Sequence, residues 1–415
     1  MAPSSPRRFD CTVVGASFGG LSCAMSLAAA GVPVRVLERK TDPGAKLHTT
    51  GILVRDALDE IDWLNEIPSG LVRRIDGVRL YAPNMRRVDL TAPGYYFLAT
   101  DTPNLMRWMA DRCRALGVDV RLGTTFTSAR REGDEFHLAG LGATSYLVGA
   151  DGPKSRVARD LGLGLNGKFL FGIEHEYEAA RLGAPDRLHC FIDRKLAPGY
   201  IGWIVAGVGV VQIGLARRAS ALGAAKVAMA AFIDKIAPVI DVRGRAPTQI
   251  RAGYIPCGGV VSPVATRRAL LVGDSAGMVS PVTAGGIHTA IKHGEAAGRA
   301  IAAFAAGQRD DPSRWFVQTY PRFRAKRALR WLFDHFQSDL AFNLLLGSTP
   351  CGRRRGSSSF TDCELRPRAD VTSRGRGVQA VTDVERPDAA HCPPSPPGDA
   401  GASAPRRPER VAHGD

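Results

Sequence analysis

Two glycine-rich turns hold the residues best suited to chemistry in this sequence. The first, Gly15-Ala16-Ser17-Phe18-Gly19-Gly20, follows the apolar run Phe9 to Val14 and opens a stretch with helical spacing. In such a turn Gly15 allows the sharp bend, and a small residue at position 17 lets backbone approach a phosphate. Gly20 lets the helix sit close on the strand. The helix N-terminus adds free N–H donors and the positive end of its dipole. Glu38, at the end of the next apolar run with Arg39 beside it, stands where a carboxylate accepts hydrogen bonds from a ribose. The second turn, Gly273-Asp274, follows the buried run Ala269 to Val272. Asp274 is placed to hold polyol hydroxyls. The segment from Pro281 to Gly285 and Gly286 has little side-chain bulk, so a flat ring can lie against its backbone. A helix opening at Ile287 would aim its N–H groups at that ring. Together the two turns predict one extended cofactor gripped at both ends. Asp151-Gly-Pro-Lys-Ser-Arg156 reads by itself as a turn and helix start, with Asp151 or Ser155 as cap.

Groups able to move a proton are few near these turns. His48 lies in a loop expected near the ring, and His288 in the first turn of the helix at Ile287. Tyr95 and Tyr96 fall in an expected strand of a substrate region. Each has a structural reading beside the catalytic one. Trp203 reads as a pocket wall or a core residue.

The elements that must position these groups follow from periodicity. A strand at 9–14, a helix at 20–30 and a strand at 34–37 make a βαβ unit. A helix at 103–116 carries Leu105, Met109, Cys113 and Leu116 on one face. Strands are expected at 118–122, 146–149 and 269–272, helices at 223–239 and 287–303, and β pattern over 169–215. The apolar run Trp203 to Val211 reads as one strand. Ala290, Gly294, Ala297 and Gly298 offer close contact between the 287–303 helix and the sheet. Residues 312–346 look helical, aromatic and basic. From Cys351 the chain is rich in Arg, Pro, Ser, Gly and Ala. Such composition buries too little apolar surface to offset its ordering entropy, so 351–415 is expected to be disordered.

At 415 residues the chain can hold more than one core. No apolar run is long enough to span a membrane, and no apolar leader precedes the first strand, so a cytoplasmic location is expected. The eight cysteines form no CxxC pair and no metal spacing; no metal is expected. The net charge of +15 suits anionic ligands or surfaces. Nucleic acid is not expected, because no recognition motif accompanies the charge. The segment 322–333 mixes Arg322, Arg324, Lys326, Arg327 and Arg330 with Trp331, Leu332 and Phe333. It reads as a capping helix with a basic face or as a peripheral contact with an anionic membrane.

The order of the three motifs resembles flavoproteins of the para-hydroxybenzoate hydroxylase fold, and within them the geranylgeranyl reductase group. The resemblance spans roughly residues 9–350. It includes Pro198-Gly-Tyr-Ile-Gly-Trp203 and Val211-Gln-Ile-Gly-Leu215, which are similar to substrate-domain strands of those reductases. It implies FAD in extended form. Gly15, Ala16, Ser17 and Gly20 would hold the pyrophosphate, Glu38 and Arg39 the adenosine end, and backbone near Phe126 the adenine. Asp274 would take the ribityl chain, and Pro281, Gly285, Gly286 and Ile287 the ring, with Asp151 in the family's Asp-Gly turn. Gly277 stands where the aromatic hydroxylases carry histidine, and Trp203-Ile-Val-Ala206 does not match the halogenase signature. Three departures stand out: Asp101-Thr102 replaces a frequent Asp-Arg, Lys46–Gly51 lacks the cysteine of several reductases, and Ser17 replaces a glycine.

The fold expected is α/β: a Rossmann-like FAD-binding domain (9–75, 98–165, 258–310) interleaved with a mainly antiparallel β substrate domain (76–97, 166–257). C-terminal helices (311–350) and the tail follow. The expected function is an FAD-dependent oxidoreductase that reduces carbon–carbon bonds of a hydrophobic, isoprenoid-type or lipid substrate. NAD(P)H or another donor would be the co-substrate. An NAD(P)H-dependent monooxygenase and a flavin-bound protein without turnover are the alternatives.

Overall fold

The computed structural model describes residues 9–218 and 222–347. The expected tail lies outside the described residues, as do the last positions of the 311–350 region. In chain order the first part contains β1 (Phe9–Val14), α1 (Phe18–Ala29), β2 (Val34–Leu37), β3 (Ile52–Val54), α2 (Arg55–Glu60) and β4 (Val72–Ile75). Then come β5 (Gly77–Tyr81), β6 (Arg87–Leu90), β7 (Phe97–Thr100), α3 (Thr102–Ala115) and β8 (Asp119–Arg121). The middle holds β9 (Ala129–Glu132), β10 (Glu135–Leu138), β11 (Gly142–Gly149), α4 (Arg156–Asp160), β12 (Phe169–Glu178) and β13 (Arg187–Phe191). After them run β14 (Gly202–Ala206), β15 (Val210–Arg218), α5 (Leu222–Ile236) and β16 (Gln249–Pro256). The last part has β17 (Ala265–Thr266), β18 (Ala269–Leu271), α6 (Ile287–Ala305), α7 (Pro312–Trp315), α8 (Arg324–Phe336) and α9 (Asp339–Gly347).

Short aliphatic runs, buried on both faces, form a parallel core sheet in the order β18-β11-β1-β2-β8. The chain leaves β1 toward β2 on one side and returns through β11 and β18 on the other. The carboxyl end of β1 is therefore a topological switch point, the usual ligand crevice of such sheets. Against one face lie α1 and α6. Their contact is closer than side chains would allow: a Cβ on Gly294 would stand 2.2 Å from the Gly19 carbonyl oxygen, and one on Gly298 2.5 Å from that of Cys23. The small-residue stripe of α6 thus serves helix–helix contact with α1, where the sequence had suggested contact with the sheet.

A second sheet runs β16-β12-β15-β14-β13-β5-β6, antiparallel except where β13 meets β5. One face, with Phe171, Ile173 and Tyr177 of β12, packs under α5 through Met229, Phe232 and Ile236. The expected single strand at Trp203 to Val211 is instead a hairpin. Gly207 and Gly209 turn it, Gly209 with φ +73°, and β14 and β15 pair across it. A three-stranded sheet, β3-β7-β4, went unread in the sequence. It draws Phe97 away from the expected substrate strand, and leaves Tyr95 and Tyr96 in the loop before β7.

Candidate functional site

Three sequence motifs meet at the carboxyl ends of β1, β11 and β18. Gly15 takes φ +108°, donates to the Leu37 carbonyl at 2.8 Å, and has no room for a side chain: a Cβ would lie 2.3 Å from the Ala150 oxygen. Ser17 caps α1, its Oγ accepting from Gly20 N at 3.2 Å. Glu38 is buried and ties two turns together. One carboxylate oxygen accepts from Ala16 N and the other from Lys40 N, both at 2.9 Å. Arg39 is exposed beside it. The loop leading to Phe126 runs along this same end, since Thr124 N donates to the Glu38 carbonyl. The Phe126 ring itself is buried in the core.

The Asp151 carboxylate is consumed by α4. It accepts from Ser155 Oγ at 2.6 Å and from the N–H groups of Arg156 and Val157, while Ser155 Oγ caps Ala158 N. Both suggested caps operate together. A residue the sequence did not flag, Asn166, staples this turn to the third motif. Its Nδ2 donates to the carbonyls of Pro153 (3.1 Å) and Asp274 (2.9 Å). Gly277, at φ +72°, passes so close to Gly259 that a Cβ would stand 2.4 Å from its oxygen. Packing alone excludes a histidine there.

Asp274 differs from the other carboxylates. Half-buried beside Gly286, its carboxylate has no hydrogen-bond partner among the described residues, and burial raises its pKa to about 6. The loop from Pro281 to Gly286 folds back on itself through Ser280 N to the Gly285 carbonyl, and is held from outside by Tyr200 Oη on Thr283 O and by Arg330 on Pro281 O. Gly286 caps α6 without a side-chain partner, and Ile287 opens the helix. The first turns of α1 and α6 lie side by side, a Cβ on Gly19 being 3.1 Å from the Ala290 oxygen. Neither first turn carries an acidic residue. Two adjacent dipole ends, a glycine cradle and an unpartnered carboxylate suit an elongated anionic group with hydroxyls in its middle.

Residues 8–199 match the family model of the FAD binding domain. The chain is 29% identical over 332 residues to digeranylgeranylglycerophospholipid reductase 2 of Methanopyrus kandleri, covering 75% of this chain and 81% of that protein. The chain is an FAD-dependent oxidoreductase similar to the digeranylgeranylglycerophospholipid reductases. A solved structure of a geranylgeranyl bacteriochlorophyll reductase-like protein from Thermoplasma acidophilum superposes on this flavoprotein with a TM-score of 0.74 at 19% identity, over 83% of this chain and 91% of that one. PqsL of Pseudomonas aeruginosa, a probable FAD-dependent monooxygenase, shares the fold with a TM-score of 0.62 at 16% identity, over 83% of this chain and all (100%) of that one.

The second sheet of the flavoprotein turns an unusual face toward the loop at 46–51. Cross-strand neighbours on this face are Glu174, Gly214 and Arg251; Glu176, Gln212 and Gln249; and Gly172, Ala216 and Gly253. Trp203 lies over Gly214, where a Cβ would meet the indole at 2.3 Å. The loop is strapped to this face. Thr50 Oγ1 donates to Glu174 Oε2 (2.5 Å), Gln212 Nε2 to Thr50 O (3.2 Å) and Arg251 Nη1 to Thr49 O (2.9 Å). Trp203 Nε1 also donates to Glu174 Oε2, at 2.9 Å, and Arg251 Nη2 meets Glu176 at 2.5 Å. Two buried carboxylates thus share one guanidinium. Burial pushes the Glu174 pKa up, against the bonds from Thr50 and Trp203, and its Oε1 has no hydrogen bond. The alternating Glu174, Glu176 and Glu178 inside an otherwise apolar strand were the signal available in the sequence.

Of the catalytic candidates, His48 alone sits on this face. Its Nδ1 donates to the Ala252 carbonyl at 2.5 Å, and its side chain fills the space beside Gly253. Partial burial, with Lys40 and Arg39 nearby, holds its pKa below the usual histidine value despite that bond. The imidazole is therefore neutral near pH 7 with Nε2 unoccupied. His288 is bound to Glu60 at 2.7 Å, and Lys292 joins the same carboxylate at 2.8 Å. Tyr95 packs on Phe97 and faces Asp56; burial and that carboxylate raise its pKa to about 12. The structure does not bring His288 and Tyr95 together with His48. Arg107, the arginine on α3 that lies nearest to Asp101-Thr102 in sequence, is paired with Asp42 in a two-pronged contact; Asp101 caps α3 through Asn104 N.

Proposed function

We propose that this flavoprotein is a reductase of carbon–carbon double bonds in a hydrophobic, isoprenoid-type lipid, with NAD(P)H or another reductant supplying its electrons. The observation that carries the reading is the pairing of a cofactor clamp with a sheet face on which His48, held through Nδ1, leaves Nε2 unoccupied. The relatives named as digeranylgeranylglycerophospholipid reductases support the substrate class. On this face Trp203 covers Gly214 and His48 covers Gly253, while Gly172 and Ala216 carry nothing larger than a methyl group.

Gly15, Ala16, Ser17 and Gly20 would hold the pyrophosphate of FAD on the α1 terminus, Glu38 and Arg39 its adenosine end with backbone near Phe126, and Asp274 its ribityl hydroxyls. Pro281, Gly285, Gly286 and Ile287 would border the ring. Bound FAD supplies a two-electron hydride carrier. The remaining work falls to the chain's own groups. His48, neutral and fixed through Nδ1, presents Nε2 to accept or return a proton. The Thr49–Thr50 strap fixes where that nitrogen stands, and Glu174 and Arg251 fix the strap. Trp203, packed over Gly214, gives this face an apolar side. Asp151 acts by holding α4 rather than by touching the reactants.

Anaerobic turnover of the reduced holoprotein with a polyprenyl lipid tests the reading. A gain of two hydrogens, read by mass spectrometry, is expected. An oxygen-dependent gain of one oxygen atom, without hydrogenation in the absence of oxygen, would overturn it in favour of a monooxygenase. No turnover with any acceptor would leave a flavin-bound protein without catalysis.

A further inference from the structure

On the C-terminal helices α8 and α9, several described polar side chains face the protein and five large apolar ones face outward. On α8 the side turned to the protein carries Phe323, Arg330 and Gln337, all buried; Arg330 reaches Pro281 O and Gln337 Oε1 accepts from Gly199 N. The outward side carries Leu329, Trp331 and Leu332. On α9 Asp339 and Asn343 face the protein and accept from Arg194 N and Asn84 N at 2.9 Å each. Leu340 and Leu344, one turn apart in the same way, point outward. These five large apolar side chains are each at least 48% exposed. A helix packed for water alone places such groups the other way round. Large exposed apolar side chains grouped at helical spacing, Leu329 with Leu332 and Leu340 with Leu344, mark a docking site.

Next to it lies a cleft of about 550 Å³ lined by Arg322, Arg324 and Arg327 with Ser313, Gln318 and the loop 260–265. No carboxylate lines the cleft, and none of the three guanidinium groups forms an ion pair with a described residue. On α8, Arg324, Arg327 and Trp331 share one stripe at helical spacing. Unpaired arginines matched to planar oxyanions, beside outward leucines and a tryptophan, have the chemistry of a bilayer interface.

We propose that α8 and α9 dock this protein on an anionic phospholipid bilayer, with the Arg322–Arg324–Arg327 cleft receiving a phosphate headgroup and the outward leucines and Trp331 entering the acyl boundary. The docking gives the lipid-reductase reading its route to substrate and rests on that reading for its purpose. A second copy of the chain is the poorer occupant, because it would bring three more unpaired arginines to the same patch.

The full-length, FAD-loaded protein is sedimented with phosphatidylcholine vesicles with and without phosphatidylglycerol. Binding is expected only when the anionic lipid is present, and should weaken with salt. Arg322→Ala/Arg324→Ala/Arg327→Ala should weaken it on the order of a hundredfold. Leu329→Ser/Leu332→Ser should abolish it with flavin absorbance unchanged. Equal binding to neutral vesicles, or an unaffected arginine variant, overturns the proposal. So does a polarity-sensitive dye on Leu332→Cys that already reports an apolar environment before vesicles are added, as it would beneath a second copy or another segment of this chain. Turnover of a detergent-dispersed polyprenyl substrate separates the two readings. The arginine variant should keep it, whereas vesicle binding without any turnover would sink the reductase and leave the docking intact.

Discussion

The clamp for the cofactor and the strap over the substrate face are built by opposite means. In the clamp, backbone does the work: Gly15 under Ala150, Gly294 on Gly19, and two helix termini whose first turns carry no acidic residue. Its side chains are small because anything larger would hit main chain. In the strap, side chains do the work. Glu174, Glu176, Gln212 and Arg251 reach from three strands to hold the loop carbonyls of Thr49 and Thr50 and the Thr50 hydroxyl. The first region tolerates no added atom, and the second tolerates no lost charge. A backbone-built site fixes a ligand common to a whole family, whereas a side-chain network can be exchanged to suit one substrate.

The sharpest break comes from adding volume to the clamp. Gly294→Val would drive a side chain into the Gly19 carbonyl and force α1 from α6, and should cost about 3–5 kcal/mol in urea unfolding of the holoprotein. A cost below about 1 kcal/mol would show that the two helices can part freely and that the clamp is not rigid. Removing charge from the strap comes next. Arg251→Met leaves Glu174 and Glu176 buried with no cation and should cost about 3 kcal/mol at neutral pH. Burial already raises Glu174, so the loss should shrink as the pH falls and that carboxyl takes up its proton. The clamp variant should show no such pH dependence.

Asp274 brings to the clamp a carboxylate that, unlike Glu38, accepts no hydrogen bond from a described residue. Its carboxyl sits at about 6 in the folded chain against 3.8 ordinarily, because burial disfavours the anion. On raising the pH the unfolded chain loses this proton first. The contribution is therefore favourable to folding below about 4, declines as the pH rises through about 6, and is flat above it. Asp274→Asn should make the apoprotein more stable by about 2 kcal/mol at pH 8, with the gain vanishing at acid pH. The same change should weaken FAD binding about tenfold, one charge-assisted hydrogen bond being lost. Destabilised apoprotein at pH 8 would mean that the carboxylate has a protein partner and is not reserved for a ligand.

What the sequence disclosed follows the same division. Val13 to Gly20, Glu38 and Gly273 to Ile287 could be read because each is a local pattern whose meaning lies in spacing along one strand, turn or helix. The ends of β1 and β2 fell where their apolar runs do for the same reason. Arg251 could not be read. Its importance depends on β16 and β15 flanking β12 in one register, a pairing that no local pattern announces. The hairpin inside Trp203 to Val211 was missed because Gly207-Val-Gly209 hides among aliphatics, and the β3-β7-β4 sheet because its strands are three or four residues long. Gly277 taught the reverse lesson. Read as a functional marker, it is also demanded by packing against Gly259.

The smallest effect tests the boundary between the two building styles at Ser17. Its Oγ accepts from Gly20 N, which occupies one lone pair and leaves the hydroxyl hydrogen to donate. Cap and phosphate contact therefore use different parts of one group. Ser17→Ala removes both and should cost about 1 kcal/mol of stability and several-fold in FAD affinity. Ser17→Gly restores the usual fingerprint. Glycine is tolerated at an N-cap, so the stability loss should be a few tenths of a kcal/mol. If the hydroxyl only caps the helix, the glycine variant binds FAD as tightly as the native chain, by calorimetric titration of the apoprotein. If the hydroxyl also meets the pyrophosphate, both variants bind more weakly by the same factor while differing in stability. The second outcome is expected, since Oγ accepts from Gly20 N while its hydrogen remains to donate to a phosphate oxygen at the helix end.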